Sequence, residues 1–188
     1  MPVDIKYNHM MQEIWYSLIG DITTDTSKQL VSWINEKAYG NPIKILKIFL
    51  SSEGGDVETA LTIYHYLKSL PFEVEIVAFN KIASAANIIF VSSSHRVAIQ
   101  GCIFVLHEGT NTIQNKTGSL HQHEDNILWM KDRTMRHVHI LSTETGKATD
   151  EIEKAMAETM FLTTEEARTF GLVKNIEEKL PVNMVKAA

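Results

Sequence analysis

Ala78-Phe79-Asn80-Lys81-Ile82-Ala83-Ser84-Ala85-Ala86-Asn87 is the stretch around which this chain is organised. In front of the turn, Val74 to Phe79 reads as a hydrophobic strand, and Asn80-Lys81 as a short polar break. Behind it, Ile88 to Val91 resume an apolar helical pattern. Between them lies a turn of small residues holding one serine. A serine at a strand-to-helix turn can expose its hydroxyl while the next backbone N–H groups point at the same spot, which is the geometry a serine nucleophile requires. Read alone, the stretch favours a tight core turn, built from Ala and Ser because nothing larger fits. The rest of the chain reverses that preference.

Toward the N-terminus, strands and helices alternate. Asp4 to Gln12 suits a short amphipathic helix, and Ile14 to Ile19 a strand closed by Gly20-Asp21. Thr24-Asp25-Thr26-Ser27 supplies N-cap candidates for a helix whose apolar positions Leu30, Trp33 and Ile34 fall at helical spacing. Ile43 to Leu50 reads as a second strand. Asp56 then caps a helix marked by Val57, Ala60, Leu61, Tyr64 and Leu67.

Toward the C-terminus, Arg96 to Ile99 and Ile103 to Leu106 are short strands, and Glu108 to Gly118 is polar. A long helix from about Leu120 to Glu144 ends at Gly146. Two shorter helices open at Thr149 and Thr163, and Leu172 to Ile176 reads as a final strand. The alternation implies crossover units, hence an α/β fold with a largely parallel sheet.

A chain of 188 residues suits one domain, spanning 1–188, with length enough for a real core. A net charge of -5 argues against nucleic acid or an anionic membrane as partner. No apolar run reaches the roughly 18 residues of a membrane span. The opening Met1-Pro2-Val3-Asp4-Ile5-Lys6-Tyr7 lacks the apolar core of an export signal. The single cysteine, Cys102, sits in an apolar run and is expected to be a buried, inert thiol in a reducing, cytoplasmic setting.

His107 ends the strand Ile103 to Leu106, at the strand edge where α/β sheets place functional groups. His121/His123 and His137/His139 are spaced i, i+2, which puts the members of each pair on different helix faces. They read as exposed helix histidines, and neither a metal nor a cofactor is expected. Gly54-Gly55, between a strand and a helix, allows close backbone approach, and one N–H there could stabilise an oxyanion.

Four segments in order resemble the proteolytic subunit of the Clp protease over nearly the whole chain. Leu50-Ser51-Ser52-Glu53-Gly54-Gly55-Asp56-Val57 is similar to that family's strand–Asn-Ser-Pro-Gly-Gly–helix segment, with Ser52 and Glu53 in place of Ser-Pro. Lys81-Ile82-Ala83-Ser84-Ala85-Ala86 resembles its nucleophile segment, and Ile103-Phe104-Val105-Leu106-His107 its histidine strand. Thr145-Gly146, Phe161 to Ala167 and Phe170-Gly171-Leu172-Val173 resemble its C-terminal pattern.

The resemblance implies a crotonase-type, ClpP-like head of repeated β-β-α and βαβ units with a projecting handle helix. The head would be about 1–108 and 147–188, and the handle about 109–146. It implies a serine endopeptidase with Ser84 as nucleophile and His107 as general base. The N–H groups of Gly55 and Ala85 would form the oxyanion hole. Gly109 to Asn115 would pair with an extended peptide or unfolded polypeptide substrate. The handle, with apolar Ile127, Leu128, Met130, Met135, Val138, Ile140 and Leu141, would join homo-oligomeric stacked rings.

Three departures qualify this picture. The family's triad aspartate falls on Thr159, which can orient an imidazole but cannot neutralise an imidazolium. Ala86 and Asn87 replace a small Gly-Ala pair. Only Met1 to Val3 precede the first helix, so the axial hairpin that helps engage an ATP-dependent unfoldase is expected to be absent. A catalytically weak or inactive ring subunit is therefore the rival reading. An acyl-CoA hydratase or isomerase fits less well, for want of a carboxylate near the oxyanion hole and a Gly-rich CoA loop.

Overall fold

The computed structural model describes residues 12–109 and 119–180. The expected helix at Asp4 to Gln12 lies outside them except for Gln12, and the expected substrate-pairing strand lies outside them except for Gly109. Among the described residues, the strands are β1 (Gln12–Ile19), β2 (Ile43–Ser52), β3 (Glu73–Ala83), β4 (His95–Ile99), β5 (Ile103–Leu106), β6 (Met160–Leu162) and β7 (Asn175–Glu177). The helices are α1 (Thr24–Ala38), α2 (Val57–Lys68), α3 (Ala86–Phe90), α4 (Leu120–Thr145), α5 (Thr149–Ala157) and α6 (Thr164–Phe170).

The sheet runs β1-β2-β3-β4-β7, and β5 leaves this path to pair with β3 and β6. Every pairing is parallel except β5 with β6. This is the α/β architecture that the alternation predicts. Leu46, Ile48 and Leu50 of β2 and Ile76 and Ala78 of β3 are fully buried. Their i, i+2 spacing sets them on one face of each strand, turned into the core. Cys102 is buried, and burial pushes its thiol up to about 12.

β3 does not end at Phe79. Asn80-Lys81 sits within a continuous strand as an irregularity, because the register against β2 shifts between Leu50 and Ser52. Asn80 takes a left-handed φ of 61° there. The strand thereby changes partner, pairing first with β4 at Glu75 to Ala78 and then with β5 at Lys81 to Ala83. Ser84 follows directly, so the bulge aims the serine turn at β5.

Three boundaries differ from expectation. Thr23, one residue ahead of the candidates, caps α1 through a reciprocal exchange with Thr26. The last strand begins at Asn175, because Leu172 and Val173 are spent in the core after the Gly171 cap. β6 was not anticipated at all.

α4 has two characters. Leu120, Ile127, Leu128, Trp129 and Met135 are exposed, whereas His137, Val138, Ile140 and Leu141 are buried against the head. Val138, Ile140 and Leu141, expected among the apolar residues joining rings, are thus corrected to core residues of the chain itself. Arg96, wholly buried, donates from its guanidinium to the carbonyls of Glu144 at 2.9 Å and Gly171 at 3.1 Å. The Glu144 carboxylate also accepts from Tyr64 at 2.6 Å and pairs with Lys68 at 2.6 Å. This network clamps the C-terminal end of α4 to the head. No described helix is long and apolar enough to cross a membrane.

Candidate active site

Ser84 holds a φ of 54°, a left-handed conformation uncommon outside glycine. Hydrogen bonds on both sides fix it. Its N–H donates to Val105 O on β5 at 3.0 Å, and its carbonyl accepts from Asn87 N at 3.1 Å. The Asn87 side chain, fully buried, donates from Nδ2 to Ser84 O at 3.1 Å and to Val105 O at 2.9 Å. Asn87 is thus more than a larger replacement for a small residue. It stitches the serine turn to the strand that carries His107.

Gly54 packs directly on this turn. A Cβ there would lie 2.7 Å from Ser84 Cβ and 2.8 Å from Ala83 O. Gly55 is pressed instead against Ile22, whose carbonyl would lie 2.3 Å from an added Cβ. Both glycines have φ values, +104° and +144°, that side chains rarely adopt. Gly54 accepts from Ile22 N–H through its carbonyl at 2.8 Å and donates its own N–H to Ser52 Oγ at 3.0 Å. The N–H groups of Gly55 and Ala85 have no acceptor among the described residues. Unpartnered backbone donors beside a serine are what an oxyanion site requires.

Ser84 and His107 line one cavity of about 440 Å³, with Gly55 at its wall. Its size is that of a small-ligand or side-chain pocket. No hydrogen bond joins the Ser84 hydroxyl to the His107 ring. Instead His107 Nδ1 lies 2.7 Å from Glu108 O. A carbonyl can only accept, so Nδ1 carries the proton in that contact and Nε2 is left as the basic nitrogen of the neutral ring. Glu108 is held in turn by its N–H, which donates to Met156 O at 3.2 Å.

Thr159 lies outside the residues lining the cavity, and its side chain is exposed, with no hydrogen bond among the described residues. It is nevertheless near in register. β5 and β6 pair Val105 with Phe161 and Leu106 with Met160, so one further step of the same register would set Thr159 opposite His107. At Thr159 a φ of 54° ends the ladder. The structure brings Ser84, His107 and Gly55 to one cavity, keeps Ala85 behind it in the serine turn, and leaves Thr159 outside the lining.

The far wall of the cavity comes from α4, where Met130, Arg133, Thr134 and His137 follow helical spacing. His137 was expected to be an exposed helix residue, and this is corrected: it is buried, with Nε2 lacking a hydrogen-bond partner among the described residues. Burial, and to a lesser degree the neighbouring His107, push its imidazole down to about 4. A readable signal was present, since His137 shares a face with Ile140 and Leu141 at i+3 and i+4. Among the described residues, no cluster of three His, Cys, Asp or Glu side chains is placed to hold a metal.

Comparison with known proteins agrees with this architecture. Among solved structures, a mutant of ClpP1 from Listeria monocytogenes matches with a TM-score of 0.79, covering 88% of this chain and 91% of that one. The two are 20% identical, so this likeness concerns the fold. A model of the Clp protease family matches residues 3–179, and the chain belongs to that family.

Proposed function

We propose that this member of the Clp protease family is a serine endopeptidase in which Ser84 is the nucleophile and His107 the general base. The observation that carries the proposal is the convergence on one cavity of a left-handed Ser84, His107 and Gly55, whose N–H is unpartnered, with the unpartnered N–H of Ala85 next to Ser84 in the turn. Ser84 Oγ attacks the substrate carbonyl carbon and its proton passes to His107 Nε2. The carbonyl oxygen becomes an oxyanion that accepts from Gly55 and Ala85. Collapse breaks the C–N bond, and His107 returns the proton to the leaving amine. Water, deprotonated by the same nitrogen, then releases the acyl group and restores Ser84.

The anchor of His107 differs from a full triad. The Glu108 carbonyl accepts a hydrogen bond from Nδ1–H and so does the orienting work of a third residue. It carries only a partial charge and stabilises the imidazolium less than a carboxylate does. A slow enzyme is the consequence. The rival, an inactive ring subunit, is favoured only by the absent carboxylate and the position of Thr159.

Labelling with a fluorophosphonate, mapped by mass spectrometry, tests the proposal. Label on Ser84 in the native protein and none in Ser84→Ala is expected. Label elsewhere, or none even at high probe concentration, would overturn it.

We further propose that the exposed first half of α4 serves as a handle to a head formed by the rest, and joins copies of the chain into an oligomer. Its exposed Leu120, Leu128 and Trp129 support this, since large apolar side chains grouped on one projecting helix mark an interface. Light scattering at micromolar concentration should give a mass several times that of one chain. A monomer would refute it. Unfolded polypeptide is the proposed substrate, and the free, buried Cys102 fits a reducing cytoplasmic location.

A further inference from the structure

We infer that the cavity beside Ser84 holds a substrate side chain adjoining the scissile bond, and that His137 selects there for an uncharged, hydrogen-bonding one such as a carboxamide. The inference rests on the peptidase reading and adds to it a substrate preference.

The argument begins with which polar groups of the cavity are already satisfied. Asp56 caps α2, its carboxylate accepting from Thr59 N at 2.8 Å and Thr59 Oγ1 at 2.7 Å. Glu53 pairs with Lys81 at 2.9 Å. Arg133 faces Glu58 at 3.7 Å. Each charged lining group thus has an opposite charge or a donor within the protein. His137 differs: Nε2 is buried and has no hydrogen-bond partner among the described residues. An unmet buried polar atom weakens the free protein and rewards any ligand that meets it.

The ring also restricts what can enter. It stays neutral at ordinary pH because burial opposes its charge. A neutral imidazole nitrogen either donates or accepts, and a carboxamide can answer both. Met130 and Met156 supply adaptable apolar walls around the stem of such a side chain. A charged side chain would lose its water there and find no free counter-charge. A purely apolar one would fill the volume and leave Nε2 unmet. Sites built to hydrogen-bond a substrate discriminate strongly against analogues lacking the group.

Gln and Met side chains are similar in length and shape, which makes them the informative pair. Two series of internally quenched peptides would carry Gln or Met on either side of the scissile bond in turn. Wild-type protein should favour Gln by about tenfold or more in kcat/KM in one series. His137→Met should abolish or reverse that ratio while still cleaving the Met peptide, and His137→Gln should restore it in part. Equal cleavage of Gln and Met peptides by the wild type in both series overturns the inference, whatever the variants do.

A second arm separates this failure from failure of the peptidase reading. Binding of the same peptides to Ser84→Ala protein, followed by fluorescence anisotropy, needs no catalysis. Gln selectivity that persists in binding, and vanishes on adding His137→Met, supports the pocket even where no peptide is cleaved. Cleavage without selectivity sinks the pocket and leaves the peptidase standing.

Discussion

Replacing Gly54 with alanine should disable the serine turn without removing any group proposed for the chemistry. The new Cβ would stand 2.7 Å from Ser84 Cβ, 2.8 Å from Ala83 O and 3.2 Å from Ala85 N. Carbon atoms pack at about 3.5 to 4.0 Å, so Ser84 must retreat by about 1 Å. A misplacement of that size costs roughly 100-fold in rate. The obstacles are mostly backbone atoms, so no rotamer change relieves them. A second cost comes from the φ of +104°, which a side chain adopts at about 1 to 2 kcal/mol. Gly101 separates the two effects. Its φ is +89°, yet nothing lies within 4 Å of an added Cβ. Gly101→Ala should therefore lose stability only, whereas Gly54→Ala should lose stability and fluorophosphonate acylation together. The assay is the second-order labelling rate of Ser84, with urea midpoints measured alongside. An acylation rate for Gly54→Ala within twofold of Gly101→Ala would show that the approach of Gly54 to Ser84 does not set the geometry.

Two predictions concern stability. His137 titrates near 4 when folded and near 6.5 when unfolded, so the unfolded chain binds the extra proton between those values. Its contribution of roughly 3 kcal/mol is fully present above pH 6.5 and is lost as pH falls toward 4; urea midpoints of the wild type should drop relative to His137→Gln across that window, and parallel curves would refute this. Arg96→Ala should cost about 1 to 3 kcal/mol by leaving the carbonyls of Glu144 and Gly171 without their donor and freeing the end of α4; a urea midpoint close to wild type would show that the clamp contributes little.

Much of the fold was legible because parallel strands buried on both faces read as unbroken apolar runs. Ile103 to Leu106 is such a run and Ile43 to Leu50 is interrupted only by Lys44 and Lys47, and their boundaries came out nearly as observed. β3 was cut short in the reading because Asn80-Lys81 looks like a strand end, and only the partner change from β4 to β5 gives that polar pair a place inside the strand. β6 carries no local signal: it has three residues, and Phe161 faces outward, so apolar alternation could not reveal it. The candidate site was legible where backbone demands special residues, at Gly54-Gly55 and the small-residue turn. The roles of Asn87 and Glu108 were not, since both act through hydrogen bonds to elements distant in sequence or to main-chain atoms. His137 was misread because its partner histidine in sequence drew attention to i, i+2 spacing rather than to its apolar neighbours at i+3 and i+4.

Among the described residues three non-glycines have a positive φ: Ser84 lines the cavity, Thr159 precedes β6 on the side of His107, and Asn80 forms the irregularity of β3 that leads to Ser84. Strained conformations gather where a site over-determines the backbone. Asn80 tolerates this region readily, but Thr159 is β-branched and does not. Thr159→Asp should therefore act twice, relieving backbone strain and setting a carboxylate across from His107. Thr159→Asn isolates the first effect, because it shares the shape and lacks the charge. Both variants should gain about 1 kcal/mol of stability, read as a higher urea midpoint. Only Thr159→Asp should accelerate acylation of Ser84, by at least tenfold, because only a carboxylate neutralises the imidazolium that forms as the serine loses its proton. Equal acylation rates in the two variants, with the stability gain intact, would mean that the charge does not reach His107. The Glu108 carbonyl would then be the sole anchor of the ring, and the weak triad would be a settled feature of this site rather than one substitution from repair.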